Sequence, residues 1–461
     1  MRNSRRAGRA SAAAVLAVVL AMIGACGERA ATGPDDLGFD PAKAPTGGSG
    51  PRVTATDPDT GFRGTTINVQ VLGSGFDQGS KATWALNGDT TFATTRVKTN
   101  STQYVSSKKL IANITISADA PLDLYDVVVM TAGGKKGIGL ELFAVSYKMT
   151  DLGTLGGSWS EGHAINELGH VVGRSQTASG ETHAFLWTPE NGMRDLGTLG
   201  LGPGEAYEAH DVNDDDLVVG YEVGVGIRGF KWTATGGMQP LSPEINWSQG
   251  FTVTSSGDIG GRASGLGGVI KPAAVIWNSA GTFEFVDTVG NSVWGVRDLN
   301  EVGQAVGSAT ADTGGAMRPY FYTRTAAGWT RTPIPAGQRD AGPSALNRSG
   351  QVTGIFRFWE GGVGGFVWSA ADGIDTLSGA GGRVDPADIN DGGTIVGYFV
   401  SKVLEKPAMW LPQPNGTWVM SPLPAGDNNH GFARGINNRG DITGSVYVAG
   451  GFQHAVRWTL K

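Results

Sequence analysis

Residues 165 to 200 read INELGHVVGRSQTASGETHAFLWTPENGMRDLGTLG. An apolar residue precedes Asn166, Gly169 follows three positions on, and a β-branched run then ends at Gly173. That order describes a tight hairpin, in which the Asn side chain caps the turn and the glycine takes the positive-φ position. A third strand follows at His183-Ala184-Phe185-Leu186-Trp187, and a fourth at Met193-Arg194-Asp195-Leu196-Gly197. Four short strands thus fit one repeat of about 45 residues, the size of a β-propeller blade.

The unit recurs to the end of the chain. Its aromatic returns as Trp187, Trp232, Trp277, Tyr322, Trp368, Trp410 and Trp458, at intervals of 45, 45, 45, 46, 42 and 48 residues. The Asn returns about twenty residues upstream of each, as Asn166, Asn213, Asn300, Asn347, Asn390 and Asn437, with Thr254 in its place in the third repeat. Seven markers predict seven blades. The aromatics, flanked by apolar neighbours on the third strand, are expected to fill the core between adjacent blades, their N–H or O–H groups seeking partners. The last repeat stops at Leu460-Lys461 without its fourth strand, and a surplus copy of that strand precedes the first, as Lys148-Met149-Thr150-Asp151-Leu152-Gly153. A ring closes if residues 148–153 lie antiparallel to residues 454–460, which removes the open sheet edges.

The 165–200 stretch resembles the HAF-repeat family of exported bacterial proteins, through His183-Ala184-Phe185 and through Asp-Leu-Gly-Thr-Leu-Gly at 151–156 and 195–200. The resemblance is strong over the first blade and then fades, Tyr320-Phe321-Tyr322 and Ala408-Met409-Trp410 keeping only the aromatic end. It implies a propeller-like extracytoplasmic repeat protein and supplies no catalytic residues.

Upstream, residues 51–147 alternate with period two at Ile67, Val69 and Val71, at Ala112, Ile114 and Ile116, and at Tyr125, Val127 and Val129. Turn residues bound each run, which is the pattern of a small β-sandwich. Val69 to Phe76, Ser106 to Ile116, Leu124 to Val129 and Leu142 to Val145 are also similar to the IPT/TIG family of immunoglobulin-like domains, which implies a spacer or adhesion module. Phe76 and Tyr125 read as core. The expected fold is all-β: a small immunoglobulin-like β-sandwich, then a seven-bladed β-propeller at 148–461 closed by the strand at 148–153.

The first 26 residues read as an export signal. Arg2, Arg5, Arg6 and Arg9 precede an apolar stretch from Ala12 to Ile23, too short for an ordinary membrane span. Ile23-Gly24-Ala25-Cys26 resembles a bacterial lipobox, which implies lipidation of Cys26, the single cysteine of the 461-residue chain. Residues 27–50, rich in Ala, Gly, Pro and Asp, read as a flexible tether. The expected location is the bacterial envelope, lipid-anchored in the outer membrane or at the cell surface. Without the four signal arginines the chain carries 32 basic and 42 acidic residues. That acidic balance argues against nucleic acid as a partner. The anchored membrane and a glycan or envelope protein are the expected partners, and the chain is expected to be a monomer without a cofactor.

Catalytic motifs are sparse. A Gly-x-Ser-x-Gly elbow and an HExxH pair are both absent from the sequence. His183 and His454 share one repeat position and read as structural. Asp211, Asn213, Asp215 and Glu222 match positions 1, 3, 5 and 12 of an EF-hand-like loop, but Asp216 stands where that loop wants glycine. The same stretch is the second blade's hairpin, and the turn reading is preferred.

A propeller's usual binding place is the mouth of its central channel, lined by the innermost strands. Counting three residues back from each Asn, or from Thr254, gives His163, His210, Phe251, Arg297, Ser344, Ala387 and Arg434. Two further back lie Glu161, Glu208, Gln249, Gly295, Gly342, Asp385 and Phe432. The charged and polar members, Glu161, His163, Glu208, His210, Gln249, Arg297, Asp385 and Arg434, would suit a polar ligand such as a glycan. The leading reading is a binding protein without catalysis. The alternative is a propeller enzyme, a glycoside hydrolase or lyase, with Glu161 and Glu208 as acid and base.

Overall fold

The computed structural model describes residues 50–460, apart from 88, 90–95, 203, 225, 246, 270, 289–292, 311–314, 337–339, 358–362, 380–381, 402 and 427. Cys26 and tether residues 27–49 lie outside the described residues. Every regular element described is a β-strand.

Two four-stranded sheets come first. Arg52–Asp57, Thr66–Ser74, Lys109–Ile116 and Val97–Ser106 form one, and Thr60–Phe62, Lys136–Ser146, Leu124–Met130 and Lys81–Leu86 form the other. They share a core that contains Val69, Val71, Phe76, Trp84, Ile114, Tyr125 and Phe143, so Phe76 and Tyr125 are core residues. The alternation read from sequence is visible in Lys109–Ile116, where every second residue is buried.

Seven antiparallel four-stranded units follow among the described residues, the first two joined by one parallel pairing of Thr182 with Ala206. The seventh unit draws its fourth strand from far upstream. Lys148–Asp151 pairs antiparallel with Gln453–Thr459, Asp151 opposite Val456 and Lys148 opposite Thr459, as the split repeat predicts. His454 Nδ1 lies 2.8 Å from the Asp151 carboxylate. In the first unit His183 Nδ1 lies 2.8 Å from Asp195. The His of each His-Ala-Phe or His-Ala-Val segment thus clasps the Asp of an Asp-Leu-Gly segment on the neighbouring strand. That contact explains why the Asp-Leu-Gly segment occurs once ahead of the repeats.

Each repeat Asn does two jobs. Asn166 Oδ1 accepts the amides of Leu168 and His170, capping its own turn, and Gly169 follows at φ 81°. In the second unit Asp216 takes that position at φ 57° without the freedom of a glycine. The Asn Nδ2 meanwhile donates to the next unit's backbone: Asn166 to the Asn213 carbonyl, Asn213 to Thr254, Asn300 to Asn347, Asn347 to Asn390 and Asn390 to Asn437, at 2.9 to 3.2 Å. Asn437 donates to Asn166 at 2.8 Å, and the series returns to its start. Thr254 has no amide to donate. There the flanking contact seen in other units, the Ser255 amide to the Glu301 carboxylate, is joined by a second bond from the Ser255 hydroxyl.

The aromatic series ties neighbours together a second time. Tyr322 donates to Asp287, Trp277 to the Ser242 hydroxyl, Trp410 to the Ser378 carbonyl and Trp458 to the Pro424 carbonyl, each partner lying at the end of the preceding unit. Trp187 differs. It is only half-buried, with the Arg457 guanidinium 5.9 Å from its ring. Trp410→Ala is expected to cost roughly 3–5 kcal/mol of stability, as for other buried aromatic truncations, and Trp187→Ala distinctly less. Chemical denaturation of both variants checks the order.

Candidate functional site

The innermost strands of the seven units are Gly156–Ile165, Ala206–Val212, Ser248–Val253, Val293–Leu299, Ala341–Leu346, Val384–Ile389 and Gly431–Ile436. Each carries a β-bulge at one repeat position. The ladder skips His163, His210, Phe251, Arg297, Ser344, Ala387 and Arg434. A bulge leaves its residue unpaired and re-aims the side chain. All seven line a single cavity of about 230 Å³.

The bulge depends on the glycine that ends the repeat's apolar run. A Cβ on Gly173, Gly220, Gly261, Gly307, Gly354, Gly397 or Gly444 would come within 1.9 to 2.3 Å of a carbonyl oxygen on the bulged strand. No other residue allows that approach.

Glu161 and Glu208 also line the cavity, and Arg174 stands between them. Its Nη2 donates to Glu161 at 2.9 Å and its Nη1 to Glu208 at 3.3 Å. Burial works to raise both carboxyl groups. His163 and Arg174 outweigh it at Glu161, which sits at about 2, and His210, His163 and Arg174 hold Glu208 well below the usual range. Burial pushes His210 down to about 4, so it is neutral at pH 7. Its ring stacks on Tyr221 at 4.8 Å and meets Phe251 edge-on at 5.7 Å.

Two expected site residues turn elsewhere. Gln249 accepts a hydrogen bond from Arg262 Nε, and Asp385 accepts the Tyr398 hydroxyl and pairs with Arg383, so neither lines the cavity. Glu161 and Glu208 hold the same register but are bonded by Arg174, which itself lines the cavity, whereas Arg262, Arg383 and Tyr398, the partners of Gln249 and Asp385, do not. The EF-hand-like residues also separate. Asp211 lines the cavity, Asn213 caps its turn, and Glu222 is buried on the next strand opposite Tyr207. No three acidic, His or Cys side chains among the described residues are grouped to hold a metal ion.

Arg174, Asp298 and Asp388 escaped the sequence reading, and Asp211 entered it only as a candidate cation ligand. Arg174 follows the run-ending Gly173 and pairs in register with Glu161. Asp211, Asp298 and Asp388 lie two residues before their Asn, in alternate units, and line the cavity. Each accepts the amide of the next residue and an amide of the following unit: Val253 for Asp211, Leu346 for Asp298 and Ile436 for Asp388, at 2.7 to 2.8 Å. The recurring Asp-x-Asn was the signal for them. Burial raises all three carboxyl groups against these hydrogen bonds, Asp211 and Asp388 to about 7.

No protein-family model and no curated protein matches the chain. Solved structures do. Virginiamycin B lyase from Staphylococcus aureus aligns at TM-score 0.48 and 11% identity over 68% of this chain and 100% of its own. A gluconolactonase from Xanthomonas campestris aligns at 0.35 and 13% over 60% and 90%. Aleuria aurantia lectin in complex with α-methyl-L-fucoside aligns at 0.34 and 9% over 55% and 93%.

The raised aspartates bind protons in the folded state that the unfolded chain has already lost above about pH 4, so their contribution makes stability fall as pH rises toward 7. His210, lowered, acts the opposite way between about pH 4 and 6.5, but it is one group against three. Glu161 and Glu208 lose their contribution only below about pH 4.5. The melting temperature is expected to be lower at pH 8 than at pH 5. An equal or higher value at pH 8, read by calorimetry, would contradict these protonation states.

Proposed function

We propose that the chain is a lipid-anchored extracytoplasmic protein of the HAF-repeat type, in which an immunoglobulin-like IPT/TIG module carries a seven-bladed propeller. The propeller binds a glycan at its channel mouth and does not transform it. The anchor rests on the lipobox-like sequence at Cys26, and the seven blades on the seven four-stranded units with their split last repeat. One observation carries the binding reading: seven bulges aim one residue each into the same cavity. Its lining combines charged hydrogen-bonding groups with the face of Phe251, and Trp294 lies half exposed beside Arg262. Apolar faces with a few convergent polar groups are the make-up of a small-ligand site.

Protonation speaks against Glu161 and Glu208 as the acid and base of a glycosidase, and the raised Asp211, Asp298 and Asp388 are held by backbone amides of neighbouring units. A glycosidase acid needs a carboxyl group raised toward neutrality, whereas Glu161 and Glu208 share one guanidinium and are held ionised. Both suit the role of fixed acceptors for sugar hydroxyls.

The purified chain, titrated calorimetrically against a panel of bacterial polysaccharides and their oligosaccharides, is expected to bind at least one without releasing reducing ends. Glu161→Gln should weaken that binding by about tenfold, the loss of one charged hydrogen bond. Turnover of a panel member that Glu161→Gln abolishes would replace the binding reading with the enzymatic one.

A further inference from the structure

Several arginines of the repeat units are paired with carboxylates. Arg174 pairs with Glu161 and Glu208, Arg331 with Asp287, Arg383 with Asp385, and Arg457 with Asp441. Of the three arginines that line the cavity, Arg174, Arg297 and Arg434, only Arg174 has a carboxylate partner among the described residues. Arg297 and Arg434 are bulge residues that reach into the cavity, both stay exposed to solvent there, and neither has a carboxylate at ion-pair distance among the described residues. Arg297 lies 5.8 Å from the Phe251 ring and Arg434 lies 5.3 Å from Phe432. The adjoining Asp298 spends its oxygens on the Leu299 and Leu346 amides and the Thr252 hydroxyl. Two like charges therefore face one small cavity in a protein that has acidic groups to spare.

We propose that these two guanidinium groups receive the carboxylate of an acidic sugar, a hexuronate unit of the glycan. The proposal rests on the glycan reading above and names its ligand class. Guanidinium groups match a carboxylate in shape and charge. The cavity, about 230 Å³, suits one sugar ring. Glu161 and Glu208 face the same space and accept hydroxyl protons, so a neutral polyol portion is matched on that side. The same two carboxylates disfavour a dianion such as a phosphate more than the single charge of a uronate.

The test is calorimetric titration of the full-length chain with glucuronate and galacturonate, and with glucose and galactose as neutral counterparts. Inorganic phosphate is a further arm. At least one uronate is expected to bind about tenfold or more tightly than its neutral counterpart and than phosphate. Arg434→Gln, and separately Arg297→Gln, should erase that preference, bringing the ratio of uronate to neutral-sugar affinity to about one, with Arg434→Lys restoring part of it. An unaltered melting temperature certifies each variant's fold, and Arg434→Gln suffices if Arg297→Gln does not fold. Equal binding of neutral and acidic sugars would overturn the uronate assignment and leave the glycan reading standing. Binding of phosphate but of no sugar would overturn both.

Discussion

The structure depends on one side-chain amide used at both ends. In six of seven units the Asn oxygen caps its own hairpin while its nitrogen bonds the next unit's backbone. These residues are buried: Asn347 and Asn437 are each 3% exposed. A buried amide left without partners costs about 1–3 kcal/mol, so the turn conformation and the spacing between units constrain one another. A hairpin of the wrong shape would misdirect the donor, and a displaced neighbour would strand it.

That circuit fixes where the inner strands stand, and the bulges then decide what they show. One residue ahead of the aspartate position, each inner strand releases a side chain from the ladder, tolerated because the partner strand presents a glycine there. The Asp side chains of alternate units reinforce the circuit by accepting amides from the following unit. The cavity is thus lined by two kinds of residue. Asp211, Asp298 and Asp388 hold units together, while the bulge residues stand outside the ladder, and apart from His163, whose ring bonds the Ala209 carbonyl of the next unit, they are free to differ from unit to unit. Their variety, from His163 to Ala387 to Arg434, is what a binding surface on a repeating scaffold requires.

Much of this was legible in sequence because it rests on short-range rules. The Asn, the positive-φ glycine and the aromatic recur at fixed offsets, and the offset of three from each Asn picks out the bulge residues without knowledge of the bulge. What stayed hidden involves partners distant in the chain. Nothing local says that Asn437 reaches Asn166, 271 residues away. Arg174 escaped because its role comes from cross-strand register, and Gln249 and Asp385 were misplaced because their partners, Arg262, Arg383 and Tyr398, lie outside the cavity while Arg174, the partner of Glu161, lies in it. Trp187 belongs to the aromatic series by spacing, yet its exposure differs from that of Trp410, a matter of what packs over it.

The central claim, that the Asn circuit closes on itself, is tested most directly by comparing Asn437→Ala with Asn347→Ala in equilibrium urea unfolding. The first removes the bond that joins the last unit to the first, the second an internal one. In a closed circuit the two are equivalent, and each should cost a similar roughly 2–4 kcal/mol for the lost cap and the lost bond to the next unit, within one cooperative transition. A clear loss for Asn347→Ala with only a small loss for Asn437→Ala would contradict closure.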